Sequence, residues 1–222
     1  QAPLTQGSMF QAAHSEKEKI SILDFKIGSP AAALVVDICS FLPFSSVLFL
    51  GMCGGLRERF QLGDYLVPVA SIRGEGTSDY YFPPEVPALA NFLMQKAVTE
   101  VLEKEKIPYH VGITYTTNMR FWEFNEDFKN TLKQTRAHGI EMECATLFAA
   151  SYKRRLNLGA LLLISDLPLL PGGIKTKKSA AKVFEDFTSN HVETGIKILK
   201  VAERMQQMKI KGAYIRHPEE GC

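Results

Sequence analysis

Gly139-Ile140-Glu141-Met142-Glu143-Cys144-Ala145-Thr146 is the stretch on which the fold turns. Residues 138–142 read as a strand. The small and apolar residues that follow (Cys144, Ala145, Leu147, Phe148, Ala149, Ala150) read as a buried helix over 143–156. A buried strand feeding directly into a buried helix is the signature of an α/β sheet. Glu143 then falls at the helix N-terminus, where free N–H groups and the helix dipole favour an ionised carboxylate. A fixed, ionised acceptor facing a cavity suits vicinal hydroxyls, as on a ribose. The plainer alternative is an ordinary helix start, since Glu is favoured in a first turn.

Working upstream, the same logic repeats. Residues 20–26 are a short strand candidate, and Gly28-Ser29-Pro30 opens a helix over 31–42 that Pro43 ends. Residues 47–51 are a continuous apolar strand, with Cys53-Gly54-Gly55 as a sharp turn after it. A long β segment over 65–73 leads into a polar Gly/Ser/Thr loop and then Tyr80-Tyr81-Phe82-Pro83-Pro84. Apolar spacing predicts a helix over 87–106 and a strand over 109–117, with Gly112 as a bulge or close approach. The loop 118–123 holds the only Trp, and 126–135 reads as a short helix.

Downstream, residues 159–164 are a buried strand ending at Ser165-Asp166. A Pro/Gly loop over 167–173, a basic run over 174–178 and a long helix over 179–208 follow. Residues 1–19 read as a polar surface arm and 209–222 as a loose tail. Polar residues thus sit at four strand ends or helix starts: Gly28-Ser29, 51–55, 141–143 and Ser165-Asp166. In α/β proteins such positions gather on one side of the sheet. A carboxyl at Asp166, after five apolar residues, would be partly desolvated, which raises its pKa toward general-acid use. The alternative for Asp166 is a cap or turn residue.

Composition narrows the function classes. The chain has 222 residues, 45% hydrophobic and 23% charged, with a formal net charge of +2. These values are ordinary for a soluble globular protein, and without a long Lys/Arg tract nucleic acid is not an expected partner. The longest apolar run, 31–44, is interrupted by Asp37 and Pro43 and is too short to span a bilayer, so no membrane partner is expected. The four cysteines have no metal-ligand spacing, so no metal site is expected. Three of them lie in apolar contexts, which suits reduced thiols in the cytoplasm.

These features together resemble the nucleoside phosphorylase/nucleosidase superfamily, over about residues 20–205. Glu141-Met142-Glu143 with its small-residue helix is similar to that family's ribose-binding motif. Ser165-Asp166 resembles its base-proximal acid, and Gly51-Met52-Cys53-Gly54-Gly55 its Gly-rich loop. The segment from Ala70-Ser71-Ile72-Arg73 to Phe82-Pro83-Pro84 resembles the uridine phosphorylase and AMP nucleosidase branch. The loop Thr116-Thr117-Asn118-Met119-Arg120-Phe121-Trp122-Glu123 resembles the base loop of the short bacterial AMP nucleosidases.

The resemblance implies a single-domain, three-layer α/β/α fold over residues 1–222, with a central mixed, partly barrel-like sheet. Family members carry a strand bordering the site before the position of Gln1, so the expectation is that this chain lacks it. The implied activity is hydrolysis of the N-glycosidic bond of AMP, without a cofactor. A phosphorylase holds inorganic phosphate with an Arg and a hydroxyl in the Gly-rich loop. Phe49 and Met52 stand at those positions and can hold no anion. A nucleoside phosphorylase or nucleosidase acting on an unphosphorylated substrate, and an idle nucleotide-binding member, remain open alternatives.

In the implied roles Asp166 is the general acid toward N7 of the base, and Glu143 holds the ribose hydroxyls, with Met142 and Glu141 nearby. Gly28, Ser29, Gly51, Met52, Cys53 and Ser165 line the site. Phe121 or Trp122 stacks on the base, or else packs in the core. Arg73, Arg120 and Lys175 are candidates for the 5′-phosphate, a solvated role being the alternative for the lysine. The family's habit implies a homo-oligomer, often a hexamer, with residues 80–87 as a contact segment.

Overall fold

The computed structural model describes residues 4–7, 10–173 and 177–208. In chain order it contains β1 (Leu4–Gln6), β2 (Gln11–Ser15), β3 (Ile20–Asp24), α1 (Ser29–Cys39), β4 (Val47–Gly55) and β5 (Tyr65–Gly74). Next come β6 (Ala88–Leu89), α2 (Phe92–Lys104), β7 (Tyr109–Thr117), α3 (Glu126–Thr135) and β8 (Gly139–Glu141). The last elements are α4 (Cys144–Lys153), β9 (Leu158–Asp166) and α5 (Lys177–Gln207).

The main sheet runs β6-β5-β7-β8-β4-β9. Tyr65 and Leu66 of β5 also pair antiparallel with Leu163 and Leu162 of β9, which closes five of its strands into a barrel. Parallel and antiparallel pairs mix: β4 runs with β9 and against β8, while β7 runs with both β5 and β8. The expected mixed, barrel-like α/β fold is present.

β9 explains the layering. All of its residues are buried, and they alternate between two faces, as side chains on a strand must. Ala160, Leu162 and Ile164 pack with α1 and α4 residues such as Val36, Ala145 and Phe148. Leu161 and Leu163 pack with α2 and α5 residues such as Met94, Val98, Ile198 and Ala202. A third cluster of Leu56, Trp122, Leu132 and Ile140 ties α3 to the barrel.

The chain departs from its sequence pattern in several places. Residues 20–24 do not join the main sheet. They form β3 of a separate antiparallel sheet with β1 and β2, drawn from the stretch read as a surface arm. Short polar strands such as Gln-Ala-Ala-His-Ser carry no alternating apolar face to betray them. Residues 52–55 are not a turn but the end of β4, where Gly54 and Gly55 pair with Ile140 and Gly139 of β8. The helix expected from Pro87 starts at Phe92, because the Asn91 side chain accepts the N–H groups of Leu93 (3.0 Å) and Met94 (3.3 Å). Ala88 and Leu89 instead pair with β5. The bulge foreseen at Gly112 lies across from it, at Val69 beside Pro68, while Gly112 is a close-approach point against the His138 ring. The expected tail over 209–222 lies outside the described residues.

Candidate active site

One cavity of about 410 Å³ opens where β4, β7, β8 and β9 end. β4 contributes Phe49 to Gly54, β7 contributes Thr117, and β8 with its following turn contributes Ile140 to Glu143. β9 contributes Ser165 and Asp166. The register explains why Asp166 reaches it. Cys53 pairs with Ile164 and Gly54 with Asp166, so Ser165 is the extra residue of a bulge that re-aims the strand end. The Ser165 hydroxyl donates to Asp166 Oδ1 at 2.6 Å and lies 3.3 Å from the Cys53 carbonyl.

The two glutamates divide their work in a way the sequence did not announce. Glu141, not Glu143, takes the free N–H groups that start α4. Its Oε2 accepts from the amides of Glu143 (2.7 Å) and Cys144 (2.5 Å). Its Oε1 accepts from the hydroxyl of Thr116 at 2.5 Å and of Ser71 at 3.4 Å. The Thr116 hydroxyl oxygen in turn accepts from the Ala145 amide at 2.8 Å. Glu143 stands at the helix boundary without capping it. Its Oε1 accepts instead from the Gly28 amide at 2.7 Å, and its Oε2 lies 3.3 Å from the Met142 amide.

The electrostatics follow from burial. Both carboxyls are pushed up by loss of solvent, Glu141 against its hydrogen bonds from Thr116, Cys144 and Glu143. Glu143 rises from 4.5 to about 7, first by burial and then by the negative charge of Glu141; the Gly28 and Met142 amides oppose this. The expectation that a helix dipole keeps Glu143 ionised is therefore corrected, because those donors are taken by Glu141. His191, also on the wall, is lowered to about 4 by burial, and its Nε2–H donates to the Leu161 carbonyl at 2.9 Å.

Gly28 and Ser29 do not line the cavity but brace it. Gly28 has φ +99°, a left-handed value that favours glycine, and this aims its amide at Glu143. The Ser29 hydroxyl donates to the Met142 carbonyl at 2.7 Å. Gly51, Met52 and Cys53 line the cavity as the sequence suggested, as do Trp122 and Arg120. Phe121 does not. It is 72% exposed, under the Arg120 guanidinium, because the short helical turn Trp122–Phe124 sends Trp122 inward.

Arg73 is likewise placed elsewhere. Its guanidinium binds the carbonyls of Phe82 (2.6 Å), Pro83 (2.5 Å) and Val86 (2.8 Å), with Ser78 and Asp79. It holds the 76–86 loop and has no donor left for the cavity. Lys175 lies outside the described residues.

Sequence reasoning missed Lys26, Glu123, Phe184, Thr188 and His191 on the cavity wall. Phe184, Thr188 and His191 recur at helical spacing on α5, so a face was legible, though nothing local says what it covers. Among the described residues no group of three His, Cys, Asp or Glu is placed to hold a metal ion. No described helix is long and apolar enough to cross a membrane.

A barrel-centred α/β fold with paired glutamates, a strand-end Ser-Asp and a glycine-rich wall defines the nucleoside phosphorylase/nucleosidase class. A family model described as "Phosphorylase superfamily" matches residues 5–202, and the chain belongs to that superfamily. AMP nucleosidase from Escherichia coli K12 is 29% identical over 210 residues, covering 89% of this chain. The chain spans only 43% of that relative's length. A uridine phosphorylase from Thermococcus kodakarensis is 28% identical over 166 residues, 68% of this chain and 60% of the relative. The crystal structure of AMP nucleosidase from Bacteroides thetaiotaomicron superposes with a TM-score of 0.81 at 35% identity, covering 93% of this chain and 81% of that one. The family acts on nucleosides and nucleotides at the glycosidic bond.

Proposed function

We propose that the protein is an AMP nucleosidase, which hydrolyses AMP to adenine and ribose 5-phosphate. The observation that carries this reading is the wall formed by Phe49 and Met52. Both line the cavity beside Glu143 and Asp166, and neither can hold an inorganic phosphate dianion. In this reading water is the nucleophile. The likeness to two AMP nucleosidases supports the same reading.

In this mechanism Asp166, protonated, donates to N7 of adenine as the glycosidic bond breaks, so the base leaves neutral. Ionised Glu143 accepts from the ribose 2′- and 3′-hydroxyls. Those hydrogen bonds strengthen as positive charge grows on the sugar, so they favour the transition state over the bound ground state. Trp122 lies along the base. Lys26 and Arg120, the cations on the described cavity wall, meet the 5′-phosphate. The assembly is a homo-oligomer in which the segment around Tyr80, 92% exposed, meets a neighbour; light scattering of the purified protein tests this.

The uridine phosphorylase likeness favours a second reading, phosphorolysis of an unphosphorylated nucleoside. One experiment separates them: free base released from AMP and from adenosine or uridine, each with and without inorganic phosphate. Phosphate-independent release from AMP is expected. Turnover that requires phosphate and yields ribose 1-phosphate overturns the proposal.

A further inference from the structure

Glu123 has no role in the chemistry above, yet it is built into the cavity. It lies in the turn Trp122–Phe124, is 7% exposed and lines the wall beside Trp122. Its Oε2 is buried and has no hydrogen-bond partner among the described residues. Two other polar side chains of this loop are committed locally. Asn118 Nδ2 donates to the Glu75 carbonyl at 3.0 Å, and Thr117 Oγ1 accepts from the Met119 amide at 3.1 Å. Oε2 itself has no open surface, but a buried carboxylate oxygen left unmatched is costly, and Glu123 borders the cavity, so a partner that arrives with the ligand would relieve that cost. An ionised carboxylate is an acceptor only, so that partner must bring an N–H or O–H.

We propose that Glu123 is a specificity-determining residue: its carboxylate accepts a hydrogen bond from the exocyclic amino group of the base, selecting a 6-aminopurine. The inference rests on the reading that a purine base lies along Trp122. A 6-oxo group would turn lone pairs toward Glu123, and a base with hydrogen at that position would leave it unpaired. A site built around a buried polar group discriminates strongly against ligands that fail to satisfy it.

Trp122, the only tryptophan of the chain, supplies the probe. Its fluorescence is followed while the wild-type chain and Glu123→Gln are titrated with free adenine, purine and hypoxanthine. Wild type should bind adenine about tenfold or more tightly than purine, the worth of one buried hydrogen bond. Glu123→Gln keeps an acceptor for the amino group but adds an NH₂ that donates to O6, so its adenine-to-hypoxanthine ratio should fall about tenfold. A purely structural role would not move that ratio. Equal affinity of wild type for adenine and purine overturns the inference, as does an unchanged ratio in Glu123→Gln or failure of all three bases to bind. If Glu123→Gln does not fold, the wild-type series decides alone. Free bases report the pocket without bond cleavage. A protein that selects adenine but leaves AMP intact therefore sinks the nucleosidase reading only, and AMP turnover without adenine preference sinks this one only.

Discussion

The amide of Glu143 donates to Oε2 of Glu141 at 2.7 Å. This bond assigns the two carboxyls different work. Glu141 spends its oxygens on the α4 N-terminus and on Thr116, while Glu143 is tethered only by amides and keeps its face toward the cavity.

The raised pKa of Glu143 makes it a destabilising residue at neutral pH. Its folded pKa of about 7 exceeds the ordinary 4.5, so the native state binds its proton more tightly than the unfolded chain. The associated stability is full below about pH 4.5 and is lost as pH rises through about 7. Glu143→Gln, always neutral, should therefore be more stable than wild type by up to about 3 kcal/mol at pH 8, and no more stable at pH 4.5. Urea denaturation at the two pH values checks this. In wild type, kcat/KM for AMP should rise through about pH 7 as Glu143 ionises.

Glu141→Gln removes the negative charge beside Glu143 and offers an NH₂ where donors already converge. The expected result is a loss of about 2 kcal/mol in stability from mismatched buried donors. Because part of the rise in the Glu143 pKa comes from Glu141, the acid limb of the pH–rate profile should move to lower pH. An unmoved limb would mean that the two carboxyls do not communicate.

Asp166→Asn keeps an acceptor for the Ser165 hydroxyl but has no proton to give. Turnover of AMP should fall about 100-fold to 10,000-fold, with adenine binding and the melting temperature little changed. A rate within a few-fold of wild type would place the acid elsewhere.

Arg73 is a strap, so its loss should be felt in stability. Arg73→Ala leaves the carbonyls of Phe82, Pro83 and Val86 without their donor, at about 2–4 kcal/mol. Arg73→Lys should recover little, since an ammonium cannot spread its donors as a planar fork does. Limited proteolysis should cut the 76–86 loop faster in both.

Gly159→Ala tests the sheet-to-helix contact. A Cβ there would sit 2.6 Å from Cβ of Met94, an atom that no rotamer change can move. α2 must shift off β9, at a cost of about 1–3 kcal/mol, visible as a lower melting temperature.

The local pattern carried much of this. Continuous apolar runs bounded by glycine, proline or polar residues marked β4, α4 and β9, because periodicity and turn chemistry act within a few residues. α3 came out over Glu126–Thr135 as read. Asp166 and Glu143 stood out in the sequence as carboxyls beside apolar segments, and both line the cavity. Residues 4–15 were not, since their strands are stabilised by pairing rather than by a buried face.

By itself the sequence determined the α/β order of elements and which chemical groups lie at strand ends, since both are written in short windows. Only the tertiary structure decided how those groups are shared out. Gly28 meets Glu143 across 115 residues, and Thr116 meets Glu141 across 25. It likewise decided that Arg73 serves a loop, that Trp122 rather than Phe121 faces inward, and that Glu123 has a buried oxygen without a partner among the described residues. A side chain's partner depends on what the folded chain brings within 3 Å, and no local pattern contains that distance.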